Sequence, residues 1–208
     1  MVEPHHRAIG IGAGRECVIF WLADRLAHVV ATDLYGNEGW TRAHGREADA
    51  AVLTDAQPFC RRPIRHQSLE FRIMDGTDLG DYPDATFDVA WSLSSIEHFG
   101  GHARASGAVR EMARIVKPGG VVVIATEFLL LAEQTHPEFF NRLEFEEYVL
   151  NASPRLELVE PVDWSLPPLE YLVDSIVCWD GVERTRRHVV LNDGENQWTS
   201  ILVFFRRR

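Results

Sequence analysis

The segment Ala8-Ile-Gly-Ile-Gly-Ala-Gly-Arg-Glu16 governs how the rest of the chain is read. A short β-branched run breaks into glycines. It then enters Arg15–His28, a helix-length stretch with Val18, Ile19, Leu22 and Leu26 on one side. The next apolar run, Val29–Thr32, is followed by Asp33, 21 residues after Gly12. Strand, glycine turn, helix and strand in that order predict a parallel βαβ unit. The glycines let the backbone turn sharply and approach a ligand with no Cβ in the way. A carboxylate at the end of the second strand can accept both hydroxyls of an adenosine ribose, as it also does in dinucleotide dehydrogenases.

Further strands are expected at Leu69–Met74, Phe87–Ser92, Val121–Thr126, Leu156–Val162 and Trp198–Phe205, which makes seven with Ala8–Ile11 and Val29–Thr32. The run Val121-Val-Val-Ile-Ala-Thr126 suits a central parallel strand buried on both faces. Ala103–Val116 carries Val109, Met112, Ala113 and Val116 at helical spacing, and Lys117-Pro-Gly-Gly120 stops that helix and turns the chain into the next strand. The last strand, rich in bulky residues and arginine, is expected as an edge or antiparallel element. Alternating strands and helices over 208 residues predict one α/β domain, residues 1–208. Two stretches break the alternation: Gly36–Ser68, with a helix expected around Glu47–Leu53, and Glu127–Ser153, with a helix at Glu144–Leu150. Both follow strand C-terminal ends, where open α/β sheets bind ligands, so both are expected to be lids or walls of an acceptor pocket.

Composition removes several chemistries. Lys117 is the only lysine among 21 basic residues, and Pro118 follows it. That excludes a P-loop, which needs Gly-Lys-Ser/Thr, and a kinase, which needs a Val-Ala-Ile-Lys strand. It also leaves a Schiff-base enzyme without a suitable amine. A net charge of −10 speaks against a nucleic-acid partner. The basic runs Arg184–Arg187 and Arg206–Arg208 are local, and the second reads as a solvated tail. Cys17, Cys60 and Cys178 lie far apart with no Cys-x-x-Cys, which suggests reduced thiols in a cytoplasmic protein. Met1–Ile11 is too short and polar for a signal peptide, and no apolar run is long enough to span a membrane.

Three more segments complete an ordered set: Met74-Asp-Gly-Thr-Asp78, Pro83–Phe99 with Trp91-Ser-Leu-Ser-Ser-Ile-Glu-His98 inside it, and Arg110–Thr126. Taken together with the glycine turn and Asp33, the set resembles the class I S-adenosylmethionine-dependent methyltransferases, in particular the type 11 group, over roughly residues 7 to 165. The resemblance implies a Rossmann-like doubly wound seven-stranded sheet, mostly parallel with the last strand antiparallel, and S-adenosyl-L-methionine as cofactor. It implies that Gly12, Ala13 and Gly14 line the methionine part, that Asp33 binds the ribose, and that Leu34 lies beside the adenine. Asp75 would accept from the adenine amino group with Gly76 alongside, and Ser92 and Leu93 would approach through their backbone. The acceptor is expected to be a small molecule or a saccharide, methylated at oxygen; the Ser92–Gly101 tip resembles methyltransferase modules that accompany glycosyltransferases.

A hydroxyl acceptor needs a base, and His98 is the first candidate, with Glu97 to orient it and His102 and His136 as lesser ones. Trp40, Phe99, Phe139, Phe140 and Trp164 could wall the acceptor pocket. Where the family usually has an acid the chain has Gly10, and where it has a third glycine the chain has Glu16, which is either a helix-dipole partner or faces the cofactor's ammonium. Only Met1–Arg7 precede the first strand, where family members commonly carry covering helices. Gly36–Ser68, a partner subunit or a second copy of the chain could serve as cover, or the chain is a shortened form. Two alternatives stay open: a catalytically silent methyltransferase-like subunit, and an NAD(P)-dependent oxidoreductase. The second is disfavoured by Cys17 at its third glycine position and by Ala113 four residues before Lys117.

Overall fold

The computed structural model describes residues 2–36, 48–60, 63–64, 68–131, 133–166 and 190–208, with 176–178 as backbone alone. Trp40, Glu47 and the Arg184–Arg187 run lie outside the described residues. Among the described residues nine strands form one sheet: β1 (Arg7–Ile11), β2 (His28–Asp33), β3 (Leu69–Ile73), β4 (Phe87–Leu93), β5 (Val116–Leu129), β6 (Leu156–Leu158), β7 (Ile176–Cys178), β8 (Val190–Asn192) and β9 (Gln197–Arg207). Their order is β3-β2-β1-β4-β5-β9-β8-β7, with β6 also paired to β9. The first five run parallel, and β9 lies antiparallel to β5 from Val121↔Arg206 to Leu129↔Trp198. The Rossmann-like α/β expectation therefore holds, and the strand order reverses between β1 and β4.

All seven expected strands are present. The two added strands, β7 and β8, have three residues each, too few for an alternating pattern to register. β9 is interior rather than an edge, because β6 and β8 pair with its far side. β6 stops at Leu158 instead of Val162, and Pro161 just beyond has no N–H for a ladder.

Helix α1 covers Cys17–Ala23, shorter than the apolar spacing suggested. The chain leaves it through a turn in which Leu26 still buries its side chain, so the periodicity outlasts the helix. Helix α2 (His102–Ile115) buries Val109, Met112 and Ala113. The Lys117-Pro-Gly-Gly120 segment is a bulge inside β5 rather than a separate turn: register jumps from Phe87↔Val116 to Val89↔Val121, and Lys117 Nζ lies 2.8 Å from Asp88. Over the described residues 48–53 of the expected helix there is one 3-10 turn, Ala50–Leu53, with Asp49 accepting from the Ala51 N–H. Helix α3 (Arg142–Phe145) opens with a reciprocal Asn141–Glu144 capping box and continues as a π-helix over Glu146–Leu150.

The sheet separates two cores. Ile9, Ile11, Ala90 and Ile124 face α2 and the aromatics Phe140 and Phe145. Ala8, Val29, Ala31, Val89 and Trp91 face the other way, towards Ile19 and Leu22 of α1. Successive strand residues point to opposite faces, so near-continuous apolar runs are what a sheet covered on both sides requires.

Candidate functional site

A cavity of about 520 Å³ opens at the C-terminal ends of β1, β2 and β4, at the crevice where the strand order reverses. Gly12, Ala13 and Gly14 form its floor. Gly12 has φ +64, and a Cβ there would lie 2.7 Å from Ser95, so the turn admits only glycine without rearrangement. Ser95 Oγ donates to the Gly12 carbonyl at 2.6 Å, and the Tyr35 hydroxyl donates to that of Gly14 at 3.1 Å. These two bonds fasten the turn from β4 and from the residues after β2.

Asp33 ends β2 on the cavity wall, 8% exposed. Its Oδ2 accepts from the Gly14 N–H at 2.9 Å and its Oδ1 from the Leu34 N–H at 2.7 Å. Burial raises the Asp33 carboxyl above its usual value, against the pull of these backbone donors. The Tyr35 backbone also donates to this carboxylate, which still keeps acceptor capacity that a ribose could use. Asp75 follows β3. Its Oδ1 accepts from both donors of Thr77, and its Oδ2 accepts from Arg104 at 2.8 Å. Partial burial pushes the Asp75 carboxyl up, but Thr77 and Arg104 outweigh it and hold it below the ordinary range. Arg104 also donates to the Phe99 carbonyl, so its guanidinium is spoken for by protein groups.

Of the residues expected at the site, Gly12, Ala13, Gly14, Glu16, Asp33, Leu34, Asp75, Gly76, Leu93 and His98 line this one cavity. Ser92 does not: it is fully buried, and Ser94 and Ser95 take the place beside Leu93. Ser94 has φ +50, a left-handed conformation that costs of order 1–3 kcal/mol outside glycine and collects at ligand sites. Glu97 is not on the wall either. It is 1% exposed, accepts from Thr126 Oγ1 at 2.8 Å, and burial pushes its carboxyl up to about 8.

The carboxylate facing His98 is that of Glu138, whose Oε2 lies 3.3 Å from His98 Nδ1. Glu138 sits 40 residues downstream, in the connection after β5. His136 Nδ1 accepts from the Glu138 and Phe139 N–H groups, and the His102 Nε2 lies 3.1 Å from the Phe139 carbonyl. Both lesser base candidates thus hold this connection in place and line no part of the cavity. Among the aromatics, Phe99 lines it. Phe139 stacks on His136 and packs near Trp198, Phe140 is in the core, and Trp164 packs on Phe128 and Phe145. Sequence reasoning missed Arg104 and Glu138, which have no periodic or motif relation to the residues they touch. Ser95 lay inside a quoted motif and needed only the geometry. Among the described residues no group of His, Cys, Asp and Glu is arranged to hold a metal ion.

The family model described as "Methyltransferase domain" matches residues 9–124. Over 134 residues the chain is 31% identical to 2-methyl-6-phytyl-1,4-hydroquinone methyltransferase of Synechocystis sp., covering 55% of this chain and 40% of that one. Over 168 residues it is 31% identical to demethylmenaquinone methyltransferase of Corynebacterium urealyticum, covering 79% and 66%. The chain therefore spans less than two-thirds of the length of either relative. Among solved structures, geranyl diphosphate C-methyltransferase from Streptomyces coelicolor A3(2), in complex with Mg2+, geranyl diphosphate and S-adenosyl-L-homocysteine, superposes with a TM-score of 0.62 at 15% identity, over 100% of this chain and 73% of that one. That likeness is one of fold.

Proposed function

Because this chain belongs to the class I S-adenosylmethionine-dependent methyltransferases of type 11, we propose that it transfers a methyl group to a hydroxyl of a small molecule or saccharide. The observation that carries this reading is the convergence of the Gly12–Gly14 turn, Asp33, Asp75 and His98 on one cavity at the strand C-termini. These residues suit the cofactor on physical grounds. A side chain on Gly12 would fill the cradle, Asp33 retains acceptor capacity for a diol, and the open wall leaves the nucleoside room beside Leu34 and Gly76.

Bound S-adenosylmethionine supplies a methyl carbon already activated by its sulfonium sulfur. The protein's part is then alignment, plus removal of one proton from the acceptor hydroxyl. His98 performs that removal. Its Nδ1 faces the Glu138 carboxylate, which favours the tautomer with the proton on Nδ1 and leaves Nε2 as the acceptor. Glu138 comes from the 127–153 connection, which supports assigning that stretch to the acceptor side. The 36–68 connection contributes Ala48 among its described residues. A second copy of the chain or a partner subunit would complete the cover over the cofactor.

The quinone-type acceptors in the names of the two curated relatives support a small-molecule substrate. Cytoplasmic placement belongs to the same proposal, supported by the free thiols of Cys17 and Cys60. No helix among the described residues is long and apolar enough to cross a membrane. Calorimetric titration with S-adenosylmethionine, S-adenosylhomocysteine and NAD tests the cofactor, and a one-methyl mass shift across a panel of alcohols, phenols and saccharides tests the acceptor. Binding of NAD without either sulfur ligand would overturn the reading. Cofactor binding with no methylated product would leave a silent subunit.

A further inference from the structure

Gly10 on β1 stands opposite Trp91 on β4. A Cβ on Gly10 would come within 2.4 Å of Trp91 Cζ2 and 2.6 Å of Cε2, so the indole occupies the space a side chain at position 10 would need. Trp91 is 3% exposed, and a buried indole N–H requires an acceptor. It finds Glu16, donating to Oε2 at 3.0 Å. Glu16 stands at the N-cap position of α1 yet makes no side-chain capping bond, so it is not serving the helix. It lines the cavity next to the Gly12–Gly14 turn.

Among the described residues, Glu16 Oε1 accepts no hydrogen bond and no cation pairs with the carboxylate. Arg104 is committed to Asp75, and Arg15 lies over the Phe59 ring at 5.3 Å. The titratable groups facing Glu16 are Asp33 and the Tyr35 hydroxyl, neither of which neutralises it. Burial, with Asp33 adding to it, pushes the Glu16 carboxyl up to about 8 against the indole bond. A half-buried carboxylate with one oxygen anchored and the other open to a cavity is relieved by a ligand cation that brings its own N–H donors. A sulfonium carries charge but no donor, whereas an ammonium carries three.

We infer that Glu16, held by Trp91, accepts the α-ammonium of the methionine moiety of S-adenosylmethionine. The pair supplies from the helix side a carboxylate that β1 has no room to carry at position 10. The inference rests on the cofactor assignment proposed above and specifies one contact within it.

The test compares three ligands by calorimetry on the full chain and on Glu16→Gln: S-adenosylmethionine, S-adenosylhomocysteine, which keeps the ammonium but lacks the sulfonium charge, and 5′-methylthioadenosine, which lacks both. Glu16→Gln weakens the first two by roughly tenfold or more and leaves methylthioadenosine within about twofold, since one charge-assisted bond is worth about 1.5–3 kcal/mol. Trp91→Phe, which keeps the ring and removes the donor, shifts affinities in the same pattern by a smaller factor. Equal weakening of all three ligands would mean that Glu16 only shapes the turn, and would overturn the inference. Loss for S-adenosylmethionine alone would assign the carboxylate to the sulfonium, and no loss for any ligand would remove the contact. Failure of the wild-type chain to bind any of the three defeats the cofactor assignment itself, and this contact falls with it.

Discussion

His98 and Glu138 meet at 3.3 Å across 40 residues of sequence, and the chemistry of the site turns on whether that pair moves a proton. Replacing His98 with alanine removes the proposed base but leaves the glycine turn, Asp33 and Asp75 in place. Turnover should then fall at least roughly tenfold, with S-adenosylhomocysteine affinity unchanged by calorimetry. Near-normal turnover would exclude His98 as the base. Glu138→Gln keeps the size of the side chain and removes its charge. It should lower kcat by a smaller factor, about three- to tenfold, and shift the acid-side inflection of the kcat–pH profile to lower pH, because an imidazolium beside a carboxylate holds its proton to higher pH than one beside an amide. Glu138→Asp should recover part of the rate. A flat profile across the three proteins would reduce Glu138 to a loop contact.

At the level of elements, β1 and β4 approach so closely at Gly10 and Trp91 that the pair acts as one packing unit. Gly10→Ala forces a methyl against the indole. Overpacking of this kind costs typically 1–3 kcal/mol, and a melting experiment should show Tm falling by roughly 2–4 °C for each of them. An unchanged Tm would show that Trp91 can move aside. The same elements show what local pattern can and cannot reveal. β1 to β5 were legible as short apolar runs, nearly continuous where both faces are covered, and α2 from the 3.6-residue spacing of its buried face. The Asn141–Glu144 capping box was also present in the letters, one turn earlier than the helix read from apolar spacing. The bulge at Lys117–Gly120 and the added strands β7 and β8 were not legible, since each is set by pairing with a neighbouring strand. Ser92 and Glu97 read as site residues from their place at a strand tip. Which way each side chain turned depended on Thr126 and on the curvature of the chain at Ser94.

Across the whole molecule, charge is distributed between two populations of carboxylates. Asp75, Asp88 and Glu111 are held low by Thr77 and Arg104, by Lys117, and by Arg114, in each case against partial burial. Their stabilisation is present above the usual carboxylate range and lost in acid. Glu97 behaves in the opposite sense. Its folded value of about 8 lies above the ordinary 4.5, so between those values the unfolded chain releases a proton that the folded chain retains. Its contribution is therefore complete below about pH 4.5 and is lost as pH rises through about 8. Glu97→Gln removes the ionisation. The Tm of the variant relative to wild type should rise from about pH 4.5 to about pH 8 and level off above that, and a pH-independent difference would show that Glu97 is already ionised in the fold.

Sequence alone determined the α/β class, the parallel βαβ start, the family and most of the cavity floor. These features reside in local spacing: glycines at a turn, an acid at a strand end, apolar residues at a fixed period. Tertiary structure alone decided that Glu138 rather than Glu97 faces His98, that Arg104 occupies Asp75, and that Trp91 turns Glu16 from a helix-end residue into a cavity carboxylate. Each of those is a contact between elements far apart in the chain. Hydrogen-bond partners across a sheet are chosen by register and burial, and neither is encoded in the spacing of residues along one strand.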